Sequence, residues 1–162
     1  MGKTAFLIDK GKFEIRNNEY TNLTQYVIKL RVDSCAICGS DIRIFQKGNA
    51  RVNYPAVIGH EVSGTIVESS IDNFAVGDQI SLGADIPCGK CCKCKAGRPN
   101  LCNQNLAIGY QLEGGFSEYM YLDTTLIEQG PIVKTNDIDP SIACLAEPLA
   151  CALNGLEKVH IQ

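Results

Sequence analysis

Five of the nine cysteines in this 162-residue chain fall between positions 88 and 102, and four of them follow the spacing Cys88-x2-Cys91-x2-Cys94-x7-Cys102. The stretch around them, Asp85 to Asn103, has little apolar content and contains two glycines and two prolines, so it cannot fold on a hydrophobic core of its own. Closely spaced thiolates in a turn-rich loop converge on one tetrahedral zinc at about 2.3 Å, and the metal then supplies the folding energy that the missing core cannot. Four thiolates leave negative charge in excess over a divalent ion, which Lys90, Lys93, Lys95 and Arg98 are placed to offset. A four-thiolate shell is coordinatively closed, so the site is expected to be structural. An iron–sulfur cluster also uses cysteines at two-residue intervals, but its last ligand follows after about three residues and precedes a proline, unlike Cys102. Ordinary cysteines are small buried hydrophobes, which does not suit so polar a stretch. Cys92 is a surplus thiol, and only the regular interval prefers Cys91 over it.

The remainder has the make-up of one soluble globular domain: 45% hydrophobic and 20% charged, which is neither a disordered nor a membrane composition. The net charge of −3, with 15 basic residues spread along the chain, lacks the footprint a phosphate backbone requires, so no nucleic-acid partner is expected. No apolar run approaches the ~18 residues of a membrane span, and Ala5-Phe6-Leu7-Ile8 is too short for a signal-peptide core before Asp9. The chain is therefore expected to be cytoplasmic with no membrane partner. The odd, crowded cysteines agree with metal binding in a reducing compartment. The sequon Asn22-Leu23-Thr24 then carries no meaning.

Periodicity predicts a mainly β domain with short helices. Thr4 to Asp9 is a short apolar strand, and Gln25 to Asp33 alternates with Tyr26, Ile28, Leu30 and Val32 on one face. A short helix is predicted over Ser40 to Lys47, ending at Gly48, and β structure over Pro55 to Glu68. Strands follow at Gln79 to Leu82, after the Gly77-Asp78 turn, and at Phe116 to Leu122. Asp139-Pro140 starts a helix, and Ile142, Leu145, Leu149, Leu153 and Leu156 keep helical spacing, with Pro148 expected to break or restart it.

Cys38-Gly39-Ser40-Asp41 and Gly59-His60-Glu61 offer a thiolate, an imidazole and a carboxylate from two segments. Mixed ligands of this kind suit zinc, and three of them leave a coordination position open for chemistry. On its own His60 reads as a structural histidine, and Glu147 as a carboxylate favoured at a helix start.

Taken together and in order, Cys38-Gly39-Ser40-Asp41, Gly59-His60-Glu61, the cysteines 88, 91, 94 and 102, Gly114-Gly115-Phe116 with Glu118-Tyr119, and Glu147-Pro148-Leu149 resemble zinc-dependent medium-chain alcohol dehydrogenases. The Glu-Pro-Leu segment looks most like the polyol (sorbitol-type) and threonine dehydrogenase branch. The resemblance runs from about residue 4 to residue 160, and it implies a GroES-like catalytic domain over residues 1–152, with the structural-zinc lobe at 85–103 inserted in it. Residues 153–162 would begin the connection to a dinucleotide-binding domain.

The resemblance further implies two zincs per chain. Cys38 and His60 match the ligands of a catalytic zinc, Glu61 and Glu147 the two carboxylates that bind it directly, through water, or in exchange. Asp41 matches the acid that holds the His60 tautomer, and Ser40 the hydroxyl that takes the substrate proton. The implied reaction is hydride transfer from a small secondary alcohol, a polyol or hydroxy amino acid, to NAD or NADP, in a full-length enzyme expected to be a homo-oligomer. Three features depart from the family pattern. Arg43 stands where many relatives carry a proton-relaying histidine, and Cys151, four residues after Glu147, is a competing ligand. The Gly-x-Gly-x-x-Gly turn of a dinucleotide domain is absent from the sequence, so these residues alone are expected to be inactive. Two other classes compete: a free-standing metal or iron–sulfur electron-transfer module, which would be coloured, and a GroES-like interaction domain without catalysis, which would hold no exchangeable second metal.

Overall fold

The computed structural model describes residues 2–18 and 26–159. The sequon, Gln25 at the start of an expected strand, and the last three residues of the expected 153–162 connection lie outside the described residues. The elements in chain order are β1 (Gly2–Asp9), β2 (Lys12–Asn18), β3 (Tyr26–Ala36), α1 (Gly39–Lys47), β4 (Glu61–Ser69), β5 (Gln79–Leu82) and β6 (Asp85–Ile86). There follow α2 (Cys92–Lys95), a 3-10 turn (Pro99–Leu101), β7 (Leu106–Ala107), β8 (Tyr119–Asp123), α3 (Thr124–Gln129), β9 (Ile132–Lys134), α4 (Pro140–Ala143) and α5 (Ala146–Leu156).

Five strands form one antiparallel sheet in the order β8-β3-β4-β5-β9, and β1-β2 and β6-β7 form separate two-stranded sheets. Side chains alternate across a strand, so Ile28 and Leu30 of β3 turn inward with Val62, Ile66, Ile80, Leu82, Met120 and Leu122 from the neighbouring strands to make the main core. A second cluster, Leu7, Ile44, Val52 and Ile58, lies under α1. That helix ends at Gly48, whose φ of +77° few side chains tolerate.

The segment 55–60, expected as part of a strand, is not one. Val57 and Ile58 are apolar because they are buried, while the chain turns through Gly59 at φ +94° before β4 begins. Its backbone is satisfied by a second loop: the N–H groups of Gly114, Gly115 and Phe116 donate to the carbonyls of Val57, Gly59 and Ile58 at 2.8, 2.8 and 3.0 Å.

The C-terminal helices dock on the sheet through a row of hydroxyls from three adjacent strands. Ser63 donates to the Pro140 carbonyl at 2.6 Å, Ser81 to the Ala143 carbonyl at 2.5 Å, and Ser34 to the Cys144 sulfur at 3.5 Å. Asp139 caps α4 by accepting from the Ser141 N–H at 2.8 Å. The expected break falls at Cys144–Leu145, ahead of Pro148, which sits in the first turn of α5 where its missing N–H costs nothing. The spaced apolar residues beyond it, Leu149, Leu153 and Leu156, remain more than half exposed among the described residues. No described helix is long and apolar enough to cross a membrane.

Candidate functional site

The sulfur atoms of Cys88, Cys91, Cys94 and Cys102 all lie within 4.8 Å of one another. Cys91 Sγ is 3.5 Å from Cys94 Sγ and 3.9 Å from Cys102 Sγ, against ~3.8 Å for the edge of a tetrahedron with metal–sulfur bonds of about 2.3 Å. Backbone N–H groups of Cys91, Cys88 and Gln104 point at the Cys88 and Cys102 sulfurs, each at 3.4 Å. The Cys94 backbone N–H directed at its sulfur holds Cys91 down to about 6, while desolvation pushes Cys94 up to about 12. The donor set and spacing thus fit zinc. Cys92 starts α2, exposed and outside the group.

A second group, Cys38, His60 and Glu61, also brings its ligand atoms within 4.8 Å of one another. Sheet register makes the meeting possible: Ala36 at the end of β3 pairs with Glu61 at the start of β4, so the chain leaving one strand toward Cys38 runs beside the chain entering the other from His60. Asp41, only 2% exposed, ties the two together. One carboxylate oxygen accepts from the Cys38 N–H at 2.9 Å and the other from the Gly59 N–H at 3.2 Å. The latter oxygen lies 3.5 Å from His60 Nδ1, and Asp41 pushes the imidazolium up to about 9. At that length the contact is not a full hydrogen bond, and Nδ1 is otherwise a buried nitrogen without a partner. Ser40 Oγ is 3.4 Å from the other ring nitrogen, Nε2. A thiolate, an imidazole aimed by a carboxylate, and a further carboxylate form a donor set that suits zinc with a position left open.

The glycines of the sequence motifs are explained by close packing. A Cβ on Gly59 would lie 2.6 Å from the Phe116 ring, and one on Gly114 would lie 2.4 Å from the Gly59 carbonyl oxygen. Side chains there would push the His60 loop away from Asp41.

Other expected residues fall elsewhere. Glu147 is not among the ligand atoms of the group. It lies on α5 beside Cys151, whose sulfur is 3.5 Å from its carboxylate, and lines a pocket of about 300 Å³ with Asp85 and Pro131. Arg43 is exposed on α1, one turn beyond Ser40. Two residues near the group carried no signal in the sequence. Tyr110 packs its ring 6.1 Å from the His60 ring, fifty positions away. Cys35, at the end of β3, is a thiol that burial pushes up to about 12, which makes it a packing residue and not a nucleophile.

The family model described as "Alcohol dehydrogenase GroES-like domain" matches residues 25–131. The chain belongs to this family. It is 34% identical over 160 residues to D-arabinitol dehydrogenase 1 of Uromyces fabae, covering 97% of this chain and 44% of that protein. It is 31% identical to sorbitol dehydrogenase of Halalkalibacterium halodurans over 154 residues, 93% of this chain and 43% of that protein. A solved structure from Sinorhizobium meliloti 1021, assigned as a zinc-binding dehydrogenase and bound to NADP, superposes with a TM-score of 0.86 at 32% identity, over 100% of this chain and 46% of that one. This GroES-like domain therefore spans less than half the length of the relatives it matches.

Proposed function

We propose that this chain is the catalytic domain of a zinc-dependent dehydrogenase that oxidises a secondary alcohol, a polyol or hydroxy amino acid, with NAD or NADP as acceptor. In this reading residues 1–152 are the catalytic domain, residues 85–103 its structural-zinc lobe, and residues 153–162 lead toward a dinucleotide-binding domain. The observation that carries it is the convergence of half-buried Cys38 with buried His60 and Glu61 beside the Ser40 hydroxyl. Support comes also from relatives that are arabinitol and sorbitol dehydrogenases.

Zinc held by Cys38, His60 and Glu61 would supply Lewis acidity toward an alcohol oxygen, and a nicotinamide would supply the hydride acceptor. The chain's own residues hold and orient. Cys38 and Glu61 each bring one negative charge, so that a divalent ion is neutralised and not outweighed. Asp41, with Oδ1 3.5 Å from His60 Nδ1, favours the tautomer protonated there and would leave the Nε2 lone pair for the metal. Ser40 takes the hydroxyl proton as the alcohol becomes a ketone. Arg43 offers no proton acceptor beyond it, so that proton passes from Ser40 to solvent. Glu147 is the carboxylate that would exchange with Glu61 after rotation toward the group.

The test is nicotinamide reduction followed by absorbance across alcohols, polyols and threonine. The isolated 162 residues should give no turnover, because positioning of the acceptor can be worth about 7–11 kcal/mol of barrier. The same residues in a chain that also carries a dinucleotide-binding domain should turn over, and Cys38→Ala or His60→Ala should abolish it. No turnover with full zinc content and demonstrated cofactor binding would favour the non-catalytic reading.

A further inference from the structure

The His60 ring is held less firmly by its polar neighbours than its burial implies. Asp41 Oδ1 and Ser40 Oγ stand at 3.5 and 3.4 Å from its two nitrogens, both at the outer edge of hydrogen-bonding distance. The second side-chain torsion of a histidine is intrinsically broad, so two long contacts leave the ring plane poorly defined. A flat neighbour that restricts it is present. Tyr110 lies with its ring centroid 6.1 Å from that of His60, the two planes inclined at 47°.

Tyr110 is itself clamped. The Arg51 guanidinium carbon sits 5.0 Å from its ring centroid, within the range of a cation–π contact. Arg51 in turn donates to Gln111 Oε1 at 3.1 Å and to the Asn105 carbonyl at 3.4 Å. Gln111 Oε1 also accepts from the Ala107 N–H at 3.1 Å, which fixes the acceptor on backbone. Tyr110 thus has His60 to one side and an anchored cation over its ring.

We propose that Tyr110, clamped by Arg51, is a positioning residue that fixes the His60 ring plane and thereby sets the metal affinity of the Cys38–His60–Glu61 group; the affinity half of this inference rests on the metal reading above. The ring face does the positioning, and the phenol oxygen is not needed. The experiment uses the whole 162-residue chain with zinc in the four-cysteine lobe, and cobalt(II) as the probe, since a cobalt–thiolate site absorbs visible light. Tyr110→Ala should weaken cobalt binding by about tenfold or more, as loss of a group that orients a ligand does. Tyr110→Phe should stay within about twofold of the parent. Arg51→Ala changes an exposed residue and keeps the tyrosine, so it tests the clamp in a chain that folds, with an expected loss of about two- to fivefold.

A second readout needs no metal at this group. In a His160→Gln background His60 is the remaining one of two histidines, and 13C relaxation of its ring should show greater mobility in Tyr110→Ala and Arg51→Ala than in the parent or Tyr110→Phe. Unchanged cobalt affinity and unchanged relaxation in both alanine variants would overturn the proposal. If the parent's cobalt spectrum is insensitive to Cys38→Ser, the metal reading fails and with it the affinity half, while relaxation still decides whether Tyr110 fixes the ring.

Discussion

The cysteine lobe and the group at the N-terminus of α1 each bring metal-binding side chains within 4.8 Å, yet they do so by opposite means. Between Cys88 and Asn103 only Cys102 is buried, and the described secondary structure amounts to one turn of helix and a 3-10 turn. On the proposed reading a metal would organise the chain there. Cys38, His60 and Glu61 are instead carried by the ends of paired strands, fixed by a buried carboxylate and backed by two apolar clusters. There the chain would organise the metal. Charge follows the same division, because four thiolates outweigh a divalent ion while one thiolate and one carboxylate only match it, leaving a stronger Lewis acid.

The comparison predicts the largest effect in the lobe. A structural four-ligand zinc is worth on the order of 10–16 kcal/mol to the segment it folds, so Cys102→Ser should open residues 88–102 to proteolysis while amide protection of the five-stranded sheet persists. Intact protection of the lobe in that variant would mean that it has a core of its own. Next is the support under α1: Ile44, 2% exposed, is the apolar residue that seats the helix carrying Ser40 and Asp41. Ile44→Ala should cost about 2–5 kcal/mol in urea unfolding of the zinc-loaded chain, read as a lower midpoint at constant slope.

Asp41→Asn is a finer cut, because it keeps the size of the buried side chain and removes its charge. Metal affinity at Cys38–His60–Glu61 should fall by about 10–100-fold, with the lobe metal retained, as isothermal titration in competition with a chelator would show. The smallest effect is expected at Cys92, exposed and outside the thiolate group. Cys92→Ser should stay within about 0.5 kcal/mol of the parent and keep its lobe zinc. A loss equal to that of Cys91→Ser would reassign the fourth ligand.

What could be read from the sequence follows the same division. The lobe was legible because its chemistry is local: four thiols within fifteen positions have few other uses. Cys38, His60 and Glu61 were legible only through motif order, since their meeting depends on the register of Ala36 with Glu61, which no periodicity reports. Tyr110 was invisible for a related reason, its contact with His60 being made by two loops locked through Gly59 and Gly114. The same locking misled the reading of residues 55–60 as a strand, because Val57 and Ile58 are buried by a loop pairing that leaves no alternation. The hairpin strand β2 escaped because all but its last residue are exposed, and β9 because three residues carry no period. The apolar spacing of α5 did predict a helix, though not that Leu149 and Leu153 would remain exposed among the described residues.

On the proposed reading one chain holds a closed metal site and an open one. Anomalous diffraction at the zinc edge from crystals of the zinc-saturated chain tests this most directly. Two peaks are expected, one enclosed by Cys88, Cys91, Cys94 and Cys102, and one bonded to Cys38 and His60 with a coordination position free of protein atoms. A lobe peak at full occupancy with no density between Cys38 and His60 in excess zinc would contradict it.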